Sequence, residues 1–290
     1  MTAAASRRSE QSETLVQGEF AFTGEDFARV AALLREDSGI HLPDSKATLV
    51  YSRLAKRLRA LGLESFADYC KLVSSDAGVD ERRSMLAALT TNVTRFFREP
   101  HHFDHLRDHT LPPLLEEARA GGRVRFWSAG CSSGEEPYSM ALTLLSAMPE
   151  IGELDVRILA TDIDPVIIAR ARAGLYPKEA VSAIPPALRS RWLEPADGDR
   201  WGMGPAVRRL VAFNELNLMG PWPMKGQFQA IFCRNVAIYF DDPTQETLWG
   251  RFADALVPRG RLYIGHSERV PSPRFEPDGL TTYRLKGAAR

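Results

Sequence analysis

The sequence predicts an α/β fold with a mainly parallel sheet, preceded by a small all-α domain. Two patterns predict it. Residues 24 to about 90 show helical periodicity with little strand signal, and after Arg123 strand-like runs alternate with helical ones. The length of 290 residues accommodates one large domain and one small one. The expected division is a disordered tail over 1–20, a helical domain over 21–90 and an α/β domain over 91–290.

In the first part, Phe27, Val30, Leu33 and Leu34 fall at helical spacing, as do Val50, Leu54, Leu58 and Leu61. Phe66, Tyr69 and Leu72 form a third stripe, and Met85, Leu86 and Leu89 a fourth. In the second part, strands are expected at 124–127, 155–161, 228–233, 261–264 and 281–285. Helices are expected at 135–148, 165–173 and 243–256. Such alternation implies a parallel sheet covered on both faces. The pattern breaks between Ala187 and Leu218, where Gly198, Gly202 and Gly204 precede a basic pair, Arg208 and Arg209, and a β-like run at 210–213. An inserted antiparallel β-unit is expected at about 187–216.

Composition excludes several classes. Lys plus Arg and Asp plus Glu each number 37, so no global charge draws the chain to nucleic acid or a membrane. No apolar run reaches the ~18 residues of a membrane span. Residues 1–17 are polar and lack the apolar core of a signal peptide. Cys70, Cys131 and Cys233 are too few and too scattered for a disulfide framework or a zinc site. The expectation is a cytoplasmic protein, monomeric and not inserted in a membrane.

Ligands of open parallel sheets bind beyond the carboxyl ends of the strands, so the loop after the first strand is informative. It reads Ser128-Ala129-Gly130-Cys131-Ser132-Ser133-Gly134-Glu135-Glu136-Pro137. Its small residues let a ligand approach the backbone, yet it is not G-x-G-x-x-G. Glu135 and Glu136 would repel a diphosphate at the helix N-terminus, which disfavours a nicotinamide dehydrogenase. A ligand bearing an ammonium and a sulfonium fits better, and S-adenosylmethionine has both and no phosphate. At the end of the next strand Asp162 is suited to accept ribose hydroxyls, while Asp164, directly before Pro165, suits a helix N-cap.

Four segments then resemble the chemotaxis protein methyltransferases. They are Leu89-Thr90-Thr91-Asn92-Val93-Thr94-Arg95-Phe96-Phe97-Arg98-Glu99; the loop Trp127 to Ser139; Phe232-Cys233-Arg234-Asn235-Val236-Ala237-Ile238-Tyr239-Phe240; and Gly265-His266-Ser267-Glu268. The resemblance implies a Rossmann-like class I methyltransferase domain with a small antiparallel β-subdomain behind an all-α N-terminal domain. It implies methyl transfer from S-adenosylmethionine to glutamate carboxylates in the cytoplasmic helical region of chemoreceptors, with S-adenosylhomocysteine as product, at membrane-bound receptor arrays. The implied cofactor residues are Asn92, Thr94, Arg98, Glu136, Asp162, Asn217, Leu218, Arg234 and Asn235. Arg98 and Tyr239 are implied near the reaction centre. His266 belongs to a matching motif without an assigned role.

The chemistry agrees with that implication. A glutamate carboxylate has a reference pKa of about 4.3, so it arrives ionised and needs alignment and desolvation, not a base. An arginine suits its two oxygens. The turn after the fourth strand lacks the N-P-P-Y pattern of base-amine methyltransferases, which argues against nucleic acid as substrate. A regulatory module that binds the cofactor without turnover is the competing reading, and the intact motif residues disfavour it. Between Ser45 and Leu63 five cations, Lys46, Arg53, Lys56, Arg57 and Arg59, stand without an acid. They are expected to dock an acidic helical partner, double-stranded DNA being the alternative. His101, His105 and His109 share a helical face, but sulfonium methyl transfer needs no metal and no metal site is expected.

Overall fold

The computed structural model describes residues 14–287. They form two compact units, the first ending at Thr90 and the second beginning at Thr91. Of the expected tail, residues 1–13 lie outside the described residues. Residues 14–20 depart from the expectation: Thr14–Val16 (β1) pairs antiparallel with Phe22–Thr23 (β2), and Phe20 is buried against Phe66. A polar surrounding hid a three-residue run of strand-forming Thr, Leu and Val.

The first unit then has four helices. Gly24–Ser38 (α1) starts at a capping box in which Thr23 and Asp26 each accept the other's backbone N–H, both at 3.1 Å. Gly39 closes it in the left-handed region, and Gly62 does the same for Ala47–Leu61 (α2). Ser65 caps Phe66–Val73 (α3), and Val79–Leu89 (α4) follows a 3₁₀ turn. The apolar stripes meet as expected: Val30, Leu34, Val50, Leu54, Leu58, Phe66, Tyr69 and Met85 are all fully buried. Leu61 departs from its stripe, because it is the last residue of α2 and is exposed.

Glu81 of α4 enters this core. It accepts from Arg57 Nε (3.0 Å) and Nη2 (2.5 Å) and from the Tyr69 hydroxyl (2.9 Å). Burial pushes the Tyr69 hydroxyl pKa well up, so it stays a donor. Replacing Glu81 by Ala strands a buried hydroxyl and a half-buried guanidinium. The expected loss is about 2–4 kcal/mol, read from the urea-unfolding midpoint. A loss below about 0.5 kcal/mol, the range of ordinary surface substitutions, would show the cluster to be a surface pair.

The second unit opens with His101–His105 (α5), a π-turn at Leu106–Thr110 and Leu111–Arg119 (α6). Val124–Ala129 (β3), Glu135–Ala147 (α7), Val156–Asp162 (β4) and Pro165–Ala173 (α8) follow. Next come Leu175–Pro177 (β5), Lys178–Val181 (α9), Pro186–Trp192 (α10), Leu193–Ala196 (β6) and Arg200–Met203 (β7). The chain ends with Pro205–Leu210 (α11), Val211–Glu215 (β8), Phe228–Cys233 (β9), Asp242–Ala255 (α12), Leu256–Ile264 (β10), Phe275–Gly279 (β11) and Thr282–Leu285 (β12).

The main sheet has the order β11-β12-β10-β9-β3-β4-β8. From β10 to β8 all pairs are parallel, and β12 and β11 add an antiparallel edge. The chain runs outward from β3 through β4 to β8, then returns to β9 on the other side of β3. That reversal makes a switch point between β3 and β9, where a crevice opens at the carboxyl ends.

Two expectations need correction here. The inserted unit is the antiparallel sheet β5-β7-β6, spanning Leu175 to Met203, and not 187–216. The run after Arg209 instead becomes β8, which pairs parallel with β4 from Ile158↔Val211 to Asp162↔Glu215. As an edge strand it is only half buried, and such a strand alternates like an antiparallel one. β11 was unexpected, since it carries Pro277 and Gly279, residues depleted in strands.

Candidate active site

The loop after β3 is shaped by close approach. Gly130, Ser132 and Gly134 have φ of 81°, 49° and 97°. A Cβ on Gly130 would lie 2.4 Å from Val236 Cγ2, so only glycine fits there. The N–H groups of Gly130 and Cys131 both donate to the Thr161 carbonyl at 2.8 Å, which folds the loop over the end of β4.

Asp162 ends β4, buried under that loop. Its carboxylate accepts from the N–H groups of Ser132 (2.8 Å) and Asp164 (3.2 Å). Burial raises its pKa above the usual carboxylate value, and those amides only partly oppose the rise. Asp164 is the helix cap expected of it, accepting from Val166 and Ile167 N–H at 2.9 and 3.3 Å. It also accepts from Asn92 Nδ2 at 3.2 Å, while the Asn92 carbonyl accepts from Ser132 Oγ at 3.0 Å. Asn92, Asp162 and the glycine loop therefore share one place.

Glu135 and Glu136 are both buried at the start of α7. Glu135 accepts from Ser133 Oγ at 2.6 Å. Glu136 accepts from Ser128 Oγ (2.7 Å) and from Arg234 Nη1 (3.0 Å). Burial still lifts the Glu136 pKa, against the pull of Arg234 and Ser128. The acidic pair is thus partly neutralised inside the protein, which the sequence did not reveal.

Arg234 is the centre of this arrangement. It also reaches Glu99 Oε2 at 3.3 Å, donates to the Arg98 carbonyl, and lies over the Phe103 ring at 5.6 Å. Glu99 continues to His266 Nδ1 at 3.1 Å. Burial raises the Glu99 pKa, but Arg234 and His266 outweigh it and leave the group below its usual value. Phe97 and Glu99 both hold positive φ, at 52° and 57°, and Phe97 N–H donates to Ser139 Oγ at 2.9 Å. Glu99 is not recognisable from sequence, although it ends the segment Leu89–Glu99: nothing in its spacing points to Arg234, 135 positions further on.

The other expected residues fall as follows. The Arg98 guanidinium is half-buried and donates to the Val93 carbonyl at 3.0 Å. Thr94 is half-buried on the same segment. Asn217 Oδ1 accepts from Met219 N–H at 2.9 Å, and Leu218 is buried with its carbonyl held by Trp222 Nε1 and Arg251. Asn235 follows β9 at φ 59°, and Tyr239 ends a 3₁₀ turn, Ala237–Tyr239. Asn235 Oδ1 is buried without a hydrogen-bond partner among the described residues. His105 and His109 share a face as expected, their ring centroids 4.9 Å apart. The π-turn begins at Leu106 and carries His109, and the one candidate metal cluster among the described residues is Glu99, His101 and His102. Arg234 beside Glu99 opposes a cation there.

The acceptors at the switch point suit a ligand that brings cations and hydroxyl donors. Asp162 has amide donors and an upward-shifted pKa, and the Asn235 carbonyl is an orphan acceptor. Residues 92–283 match the SAM-binding domain of CheR methyltransferases, and residues 25–90 match their all-alpha domain. A probable chemotaxis protein methyltransferase of Rhizobium etli is 55% identical over 266 residues, covering 89% of this chain and 99% of the relative. Chemotaxis protein methyltransferase 2 of Pseudomonas aeruginosa is 44% identical, covering 86% and 88%. The Escherichia coli chemotaxis protein methyltransferase is 40% identical, covering 89% and 90%. Fold and site define an S-adenosylmethionine-dependent methyltransferase. The chain belongs to the CheR methyltransferase family, with the all-α domain followed by the cofactor-binding one.

Two outcomes are expected. Gly130→Ala forces a Cβ into Val236 at a positive φ, so affinity for S-adenosylhomocysteine should fall at least about tenfold by calorimetry, a change of ~1.4 kcal/mol. Unchanged affinity would mean the loop is not the cofactor's. The second outcome concerns His102, fully buried with Nε2 2.8 Å from Thr281 Oγ1. Burial, with Arg234 nearby, pushes its pKa down from 6.5 to about 3. Between these values the unfolded chain binds the extra proton, so stability rises with pH and is lost as pH falls from 6.5 toward 3. His102→Gln should flatten the slope of stability against pH by about 1 kcal/mol per pH unit between roughly pH 4.5 and 6.5. An unaltered slope in urea titrations would show that His102 is not the group responsible.

Proposed function

We propose that this protein esterifies glutamate side chains in the cytoplasmic helical region of chemoreceptors. S-adenosylmethionine, when bound, supplies an electrophilic methyl carbon on sulfur. Asp162 would accept the ribose hydroxyls, and Asn92, Thr94, Glu136, Asn217, Leu218, Arg234 and Asn235 would complete its surroundings. The observation that carries the reading is the commitment of the site's buried acids. Asp162, Glu136, Glu99 and Glu268 are each held by N–H, hydroxyl or guanidinium donors. Their oxygens are occupied by donors within the protein, so none is placed to take a proton from an incoming acceptor. An acceptor that arrives already ionised suits such a site, and a glutamate carboxylate is one.

Arg98 is the cation that would orient the incoming carboxylate, and Tyr239 the hydroxyl beside the reacting atoms. Recruitment to receptor arrays would use the basic helix α2 with Lys46 just before it, but not all five of these cations. Arg57 is committed to Glu81, and Arg53 donates to the carbonyls of Ala88, Leu89 and Thr90. Arg59 forms an exposed pair with Glu19, the kind worth little in water. Lys46, Lys56 and Arg59 therefore remain for an acidic helical partner.

Tritiated methyl transfer to a receptor's cytoplasmic fragment should give label released by alkali, because esters hydrolyse there and N-methyl groups do not. Alkali-stable label would sink the proposal. Arg98→Ala should lower kcat/KM for the receptor about 100-fold through misplaced carboxylate. Normal turnover in that variant would remove Arg98 from the reaction.

A further inference from the structure

We propose that Glu268 is a positioning residue for methyl transfer, fixing the turn that carries Asn235 and Tyr239. The inference rests on the methyltransferase site above and assigns the acid of the Gly265-His266-Ser267-Glu268 motif. The Glu268 side chain is buried and its two oxygens collect five backbone N–H groups. Oε1 accepts from Val236 (2.9 Å), Ala237 (2.7 Å) and Ile238 (3.3 Å). Oε2 accepts from Asn235 (2.9 Å) and Gly265. Converging amides of this kind form a concavity for an anion, and here the protein fills its own.

The turn needs such a clamp. Asn235 stands at φ 59°, a conformation a non-glycine residue holds only when its surroundings impose it. Four consecutive N–H groups, from Asn235 to Ile238, point inward at the end of β9. Left unpaired in a buried site, each would destabilise this geometry. The carboxylate satisfies all four and ties them to the end of β10 through Gly265. A Cβ on Gly265 would lie 2.5 Å from Asn235 Nδ2, so the two strand ends are in contact. Arg234 on one side of the turn and Tyr239 on the other inherit their positions from it. A glutamine in place of Glu268 offers one acceptor oxygen, and its NH₂ faces N–H donors.

The test uses the full-length protein with Glu268→Gln. Amide hydrogen exchange at 235–238 should quicken about tenfold or more, while exchange within β3 and β4 stays unchanged. Turnover on the receptor fragment should fall at least about tenfold in the wild-type background but less than about threefold in Tyr239→Phe. A residue that merely supports the fold would cost the same factor in both backgrounds. Equal cost in the two backgrounds, or unchanged exchange at 235–238, overturns the proposal. If Glu268→Gln does not fold, Glu268→Asp carries the same measurements, its shorter reach being unable to serve all five amides. Alkali-stable product from the wild type would instead refute the methyl-ester reading, while exchange and the mutant cycle still decide the role of Glu268.

Discussion

A single buried guanidinium organises the functional end of the sheet. Arg234 contacts carboxylates of two different segments, Glu136 at the start of α7 and Glu99 before α5. Taking an arginine out of water is costly, and the attraction of one acid repays it only when geometry and further hydrogen bonds are good. Here two acids and the Arg98 carbonyl share the task. The result is mutual dependence: removing Arg234 would leave buried Glu136 and half-buried Glu99 in one region with like charge. Through Glu99 the link runs on to His266, so the segments before α5, after β3, after β9 and after β10 become one body. Motifs far apart in the chain are bound to each other by charge before any ligand arrives.

On the other side of β3 the constraint is steric instead. Gly130 has no room for a side chain beside Val236, and the two amides that follow β3 both seek the Thr161 carbonyl. That drives Ser132 N–H onto Asp162. The shape of the loop thus follows from the parallel pairing of β3 with β4, which brings Ala129 level with Thr161. Electrostatics then selects the ligand class. Carboxylates buried at this end of the sheet disfavour a diphosphate and favour a sulfonium nucleoside, whose positive charge would in turn stabilise their ionised form.

How far this could be read from the chain depended on whether the cause was local. Helix α8 was legible because Asp164 and Pro165 mark its start within two residues and Gly174 its end. β9 was legible as an apolar run, broken only by Gln229, that is buried on both faces. β8 was misassigned because an edge strand carries only half of that signal. At the site, Asp162 and the glycine loop announce themselves by position after strands. Arg234 was named as a cofactor residue, but its pairing with Glu99 and Glu136 follows from tertiary contact alone. The same holds for the basic helix. Five cations without an acid within their own segment looked unpaired, yet Glu81 and the end of α4 had claimed two of them. Periodicity gives the face of a helix, and it carries no information about what a different helix brings to that face.

These neutralisations bear on the kind of reaction the site favours. A methyltransferase that must deprotonate its acceptor needs a carboxylate or histidine free to take the proton from the attacking atom. The acids of this site are instead engaged within the protein: Asp162 holds the glycine loop, Asp164 a helix end, Glu268 the turn after β9, and Glu136 and Glu99 the arginine between them. Such commitments trade proton-transfer capacity for fixed geometry. In-line transfer to an acceptor that is already an anion depends on fixed geometry above all, since its barrier is lowered by alignment and exclusion of water. The rigidity built by these carboxylates therefore suits the carboxylate methylation proposed above, which makes no proton demand on the site.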